Sequence, residues 1–414
     1  MDLGIKRFLR KLGPGLITGA SDDDPSGIAT YSQAGAQFGL KTLWTALIST
    51  PLMISIQEMC ARIGIVTRQG LTRVIRDNYP KPVLYAVMLI SFTAVIFNIG
   101  ADISAVGAVS NLLFPQIPTI AFCLVFTCLL ALILIRFSYR KLSSLMKWLC
   151  LAFFAYFIVP FLVGQNWQYV ITNLLIPTIS LNKGFVLILV AILGTTISPY
   201  LFFWQASTEV EEREHSKSLV VNKKIMDDME IDVDLGMLFS NVIMFFIILT
   251  TGTVLFNAHI TQINTVDQAA QALRPLAGNA AYLLFALGIF GSAFIAIPVL
   301  AGSLSYMYAE ALGTGVSLDR KFHEAKSFYM VLIVSLAVGL LMNLLGLSPI
   351  KMLIYSAVLY GLIAPILILI ILHICNNRSI LKRYVNGWLS NVFGIITFIV
   401  MAAVAILFLY LQFA

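Results

Sequence analysis

Ser21-Asp22-Asp23-Asp24-Pro25-Ser26-Gly27 sets three consecutive carboxylates and a proline inside an otherwise apolar segment long enough to cross a membrane. Each acid near a bilayer midplane costs about 2.5 to 3.5 kcal/mol on insertion scales. Pro25 removes a backbone donor, and Ser26-Gly27 loosens the chain further. Such a break is tolerated only where it lines a polar cavity. The stretch therefore reads as an interrupted helix on a cation path.

The surroundings support a membrane. Of 414 residues, 59% are hydrophobic and 11% charged, against roughly 25% charged in soluble domains. Spans of roughly 20 apolar residues, cut at charged or Pro/Gly/Asn clusters, fall near 13–38, 41–65, 83–112, 118–136, 144–164, 185–209, 234–257, 279–311, 327–346, 350–374 and 388–412. Basic residues mark one side: Lys6, Arg7, Arg10 and Lys11, then the groups around Arg73, Arg140, Lys223, Lys321 and Lys382. Lys41, Lys183, Arg274 and Lys351 fall on the other. That asymmetry predicts a cytoplasmic N-terminus and an outer C-terminus, in the plasma membrane. No cleavable signal pattern is expected.

The net charge of +7 thus reads as topology. Dispersed basic residues do not make a nucleic-acid patch. Cys60, Cys123, Cys128, Cys150 and Cys375 lack metal-ligand spacing and read as helix-packing residues. The polar stretch Glu211 to Asp232 reads as a loop, and a short helix is expected near Asp267 to Leu273. No HExxH or nucleophile motif suggests an enzyme, and no cofactor is expected.

A second break lies in the sixth span, Leu193-Gly194-Thr195-Thr196-Ile197-Ser198-Pro199-Tyr200. Two interrupted helices five spans apart point to an inverted-repeat secondary transporter. The expected fold is all-α and LeuT-type (5+5), with helices 1 and 6 unwound and about eleven transmembrane helices. A single domain, 1–414, would hold a first repeat (1–164), a second (185–374) and an extra helix (388–412).

Unwinding frees carbonyl oxygens, and the half-helix C-terminal ends carry partial negative charge. Ser21, Ser26, Thr195, Thr196 and Ser198 add hydroxyls to the three acids. Successive residues point in different directions, so Asp22, Asp23 and Asp24 do not all ligate one ion directly. Asp24 is the preferred ligand. Asp22 and Asp23 either line its approach or stand in a water-filled vestibule.

The run Gly13-Pro14-Gly15-Leu16 to Gly27, with Gln33-Ala34-Gly35-Ala36, Ala61-Arg62-Ile63-Gly64, Gly194 to Tyr200 and Ile231-Asp232-Val233-Asp234, resembles the Nramp-type divalent metal transporters over essentially the whole chain. Departures from the family pattern matter. Gly27 stands where the first-span Asp-Pro-Gly-Asn motif has Asn, and Ser198 and Tyr200 stand where the sixth-span Met-Pro-His motif has Met and His. A soft thioether is replaced by a hard hydroxyl, which suits Mg2+ and Mn2+. The resemblance is strongest to the Nramp-related magnesium transporters, and it implies a largely hydrated ion in a wider pocket.

Asp102 is kept in the third span, but Ala105 takes the place of a Glu on the family's proton route, and Gln205 that of a second His. The resemblance then implies uptake driven by membrane potential without obligatory proton coupling. The metal set is Asp24, Asp23, Asp22, Gly27, Thr195, Ser198 and Gln205, with Asp102, Tyr200, Glu209 and Ser356 as a polar network. Glu209 is favoured as the start of the acidic loop. A divalent cation is the substrate, the bilayer is the setting, and a monomer is expected. Two alternatives stand: a proton-coupled Mn2+/Fe2+ importer, and a transporter of a small organic substrate on the same fold.

Overall fold

The computed structural model describes residues 13–136, 154–215, 221–314 and 324–413, and among these every regular element is helical. The first span is two helices, α1 (Pro14–Asp22) and α2 (Pro25–Phe38). Then come α3 (Trp44–Thr67), α4 (Leu71–Asn78), α5 (Lys81–Leu113), α6 (Thr119–Arg136), α7 (Phe154–Leu162) and α8 (Trp167–Leu175). The sixth span is likewise split, into α9 (Lys183–Thr196) and α10 (Pro199–His215). The remainder are α11 (Lys223–Val254), α12 (Val266–Ala270), α13 (Arg274–Ala277), α14 (Ala281–Leu312), α15 (Lys326–Met342), α16 (Pro349–Asn376), α17 (Arg378–Leu381) and α18 (Trp388–Phe413).

Both breaks occur where the sequence places them, and for the same reason. Pro25 and Pro199 each open the second half-helix, a position where the missing N–H is not needed. Among the described residues, seven stretches are long and apolar enough to cross a bilayer: α5, α6, α9 with α10, α11, α14, α16 and α18. The broken first span, α3 with buried Arg62, and the 17-residue α15 stand in the other expected positions. Residues 144–153 of the expected fifth span lie outside the described residues; α7 forms its end.

Two expectations need correction. Of the stretch Glu211 to Asp232, read as a loop, the described residues are mostly helical, because α10 continues to His215 and α11 begins at Lys223. The acids are carried inside the helix by specific partners: Tyr306 donates to Glu211 at 2.5 Å and Gln205 to Glu209 at 2.9 Å. Glu209 therefore does not start a loop; it is buried within α10. The segment near Asp267 to Leu273 does carry the expected short helix, as α12 followed by a tight turn over Gln271–Leu273.

Helix α11 runs beside both halves of the first span. A Cβ at Gly19 would lie 2.0 Å from the Gly236 carbonyl oxygen, so α1 and α11 touch backbone to backbone. Small residues permit such an approach where lipid supplies no hydrophobic drive.

Candidate cation site

At the first break, Asp24 is the N-cap of α2. Its Oδ1 accepts from Gly27 N–H at 2.6 Å and its Oδ2 from Asn98 Nδ2 at 2.7 Å. Asn98 on α5 is also 3.5 Å from Asp102 Oδ2, one turn further along. Asp24 is thus tied across to the third span, and Asp102 Oδ1 has no hydrogen-bond partner among the described residues.

Asp22 and Asp23 are fully buried, which replaces the vestibule alternative with packing against α11. Ser240 Oγ on that helix is 2.8 Å from Asp22 Oδ2 and 3.5 Å from Asp23 Oδ1. One hydroxyl proton serves one of them at a time. Asp22 Oδ1 and Asp23 Oδ2 have no partner among the described residues. Buried carboxyl groups persist when paired, bound to metal or neutralised by a proton.

The second break faces the first. Ser198 Oγ donates to the Thr195 carbonyl at 2.6 Å, closing the end of α9. Tyr200 OH donates to the Ser21 carbonyl at 2.8 Å, and Tyr31 OH pairs with Thr196 Oγ1 at 3.1 Å. Ser356 on α16 meets Ser26 Oγ at 2.9 Å and bonds back to the Leu353 carbonyl at 2.7 Å. Between the breaks sits Gly27. A Cβ there would lie 3.3 Å from both the Asp22 carbonyl oxygen and Thr195 Oγ1, so glycine lets the two breaks converge.

Gln205 and Glu209 stand apart from this junction. Thr18 Oγ1 donates to Gln205 Oε1 at 2.5 Å, and Gln205 Nε2 donates to Glu209, forming a chain between α1 and α10. Of the predicted residues, the Asp22 carbonyl and the Thr195 hydroxyl both border the space a Cβ at Gly27 would take, Asp24 and Tyr200 bond into the same breaks, and Asp102 joins through Asn98. Sequence reasoning missed Asn98, Ser240 and Tyr31 as site residues. Asn98 had a signal in its i, i+4 spacing to Asp102, whereas Ser240 had none. It also missed Met244, whose Sδ lies 3.7 Å from Thr196 Oγ1. A cavity of about 480 Å³ lies elsewhere, lined by Ser104, Asn111, Asn264, Asp267 and Asn343 among others, and none of the three break acids lines it.

The arrangement is a buried set of hard oxygen donors between two broken helices. Against known families, the Nramp profile, described as natural resistance-associated macrophage protein-like, matches residues 15–411. The chain belongs to the Nramp family. As an Nramp protein it is a multi-pass integral membrane transporter and not an enzyme.

It is 24% identical over 402 residues to the divalent metal cation transporter MntH of Caldanaerobacter subterraneus subsp. tengcongensis, spanning 96% of this chain and 91% of that protein. A protein of the same name from Chromohalobacter salexigens is 26% identical over 377 residues, spanning 90% and 85%. Among solved structures, the Eremococcus coleocola manganese transporter superposes with a TM-score of 0.79 at 17% identity, covering 98% of this chain and 87% of that one. Mhp1, a nucleobase-cation-symport-1 family transporter in a closed conformation, gives 0.57 at 12% identity, covering 97% and 92%. These likenesses establish the LeuT-type inverted-repeat fold of this Nramp protein.

Proposed function

We propose that the chain imports a hard divalent cation, Mg2+ and also Mn2+, by alternating access and without obligatory proton symport. The observation that carries this reading is the convergence of Gly27, the Asp22 carbonyl and the Thr195 hydroxyl beside three buried carboxylates. Mg2+ dehydrates reluctantly and prefers oxygen ligands and retained water; a site with a hydroxyl at residue 198, and without a thioether there, suits that preference. Asp24 is the main charge-neutralising ligand in this reading, with Asp22, Asp23, Thr195 and Ser198 contributing carbonyl, hydroxyl or water-bridged ligation. Gln205, which bonds Thr18 and Glu209, contributes through that chain in this reading.

The relatives named divalent metal cation transporter support metal as the substrate. The proposed unit is a monomer in the plasma membrane, N-terminus inside, with repeats 1–164 and 185–374 and the extra helix 388–412. Alanine at residue 105 and glutamine at 205 support uncoupled uptake, because both lack the titrating side chains of the family's proton route.

A second reading, Mn2+ as principal substrate with proton coupling, has Met244 in its favour, a thioether beside Thr196. Uptake into proteoliposomes loaded with a pH dye separates the two. Mg2+ uptake that Mn2+ and Cd2+ compete weakly, without lumenal acidification, is expected; acidification in step with metal entry would support the second reading. If Asp24→Ala transported Mg2+ like the parent protein, the site itself would be wrong.

A further inference from the structure

α1 is held at both ends by one stripe of α11. At its start, a single carboxylate, Asp232, accepts from Gly13 N–H at 2.8 Å, Gly15 N–H at 2.7 Å and Leu16 N–H at 3.3 Å. At its end, Ser240 bonds Asp22. Gly236 lies midway, against Gly15 and Gly19. Residues 232, 236 and 240 follow one another at four-residue spacing, so they share a face of α11. Eight residues span about 12 Å, close to the length of the nine-residue α1.

The two anchors differ in kind. Ser240 and Asp22 are completely buried, so parting them leaves polar groups without water. At the other anchor Gly13 and Leu16 are half-buried, while Gly15 and Asp232 are buried. The Gly13 and Leu16 N–H groups, once freed, exchange their bonds for water, at a net cost of roughly 1 kcal/mol each. Asp232 also sits at the positive end of the α1 dipole. Between α1 and α10 the polar tie is the Thr18–Gln205–Glu209 chain. The first break, Asp23–Asp24, forms the hinge at the far end of α1.

We infer that Asp232 is a positioning residue, a releasable latch that holds α1 docked on α11 and so keeps the inner side of the cation site closed. This rests on the alternating-access reading above and adds which contact opens. With the latch released, α1 pivots about its buried end while Ser240 keeps hold of Asp22.

The test uses full-length protein with the five native cysteines replaced and a single reporter, Ala20→Cys, which is buried while α1 is docked. A membrane-impermeant maleimide is applied in inside-out vesicles, without metal. Asp232→Asn is expected to raise its labelling rate about fivefold, the effect of losing one net hydrogen bond. A second reporter, Ala301→Cys in α14, is expected to stay unlabelled. Gly15→Ala, whose Cβ would lie 2.7 Å from the Asp232 carbonyl carbon, should raise Ala20→Cys labelling by wedging the same seam. Unchanged labelling in both variants, or equal increases at both reporters, overturns the latch. The readout needs no transported ion, so its failure is separate from failure of the magnesium reading, which the uptake assay shows.

Discussion

Asn98 donates from its amide to Asp24 Oδ2 at 2.7 Å, and both side chains are buried. This bond joins the first break to the third span, and it holds one oxygen of Asp24 in place while leaving that oxygen a further lone pair. A hydrogen bond to a charged group is worth about 1.5–3 kcal/mol, so Asn98 orients the carboxylate.

Asn98→Ala should therefore raise the KM for Mg2+ uptake about tenfold or more, by the tenfold per 1.4 kcal/mol relation. The measurement is initial uptake into proteoliposomes, normalised to the amount of reconstituted protein. An unchanged KM would remove Asn98 from the site.

Restoring donors of the family pattern should change selectivity. Gly27→Asn combined with Ser198→Met sets an amide and a thioether between the breaks. Softer ligation favours transition metals. Mg2+ uptake should fall about tenfold while Cd2+ becomes the stronger competitor. Competition of Mg2+ uptake by Cd2+ and Mn2+ reads this out, and the Gly27→Asn single variant shows how much the 3.3 Å contacts to Asp22 and Thr195 contribute alone.

The α1–α11 contact sets stability. Gly19→Ala drives a methyl to 2.0 Å from the Gly236 carbonyl, whereas a Cβ at Gly288 meets nothing within 4 Å. Overpacking costs about 1–3 kcal/mol, so Gly19→Ala should lower the thermal midpoint of the detergent-solubilised protein by several degrees. Gly288→Ala should leave it unchanged. Fluorescence-detected melting compares the two.

Glu310 on α14 is half-buried and accepts from Thr72 N–H at 3.1 Å, Arg73 N–H at 3.3 Å and Ser207 Oγ at 2.6 Å. It clamps the start of α4 and one turn of α10 together. Glu310→Ala frees two amide protons and should speed their hydrogen exchange about tenfold or more. Peptides covering residues 70–78 report the change, and peptides of α18 serve as the unaffected reference.

Much of the fold was legible because its signals are local. Apolar length marked the spans, and Pro25 and Pro199 marked both breaks through a missing donor. Glu209 misled for the opposite reason. Read along the chain it belongs with Glu211 and Glu212, a solvated acidic run, yet Gln205 one turn earlier and the packing of α10 bury it.

The sequence alone determined that a charged, proline-broken helix crosses a membrane, that a second broken helix answers it, and that the donors between them are mostly hard oxygens. These follow from residue chemistry and spacing. Only the tertiary structure decided which acids are bonded and which are left open: Asp24 is capped and tied to Asn98, while Asp22 and Asp23 share Ser240, more than two hundred residues away. A hydrogen bond depends on where two side chains meet in space, and nothing in the local pattern of α11 marks its Asp232–Gly236–Ser240 face as the one that receives α1.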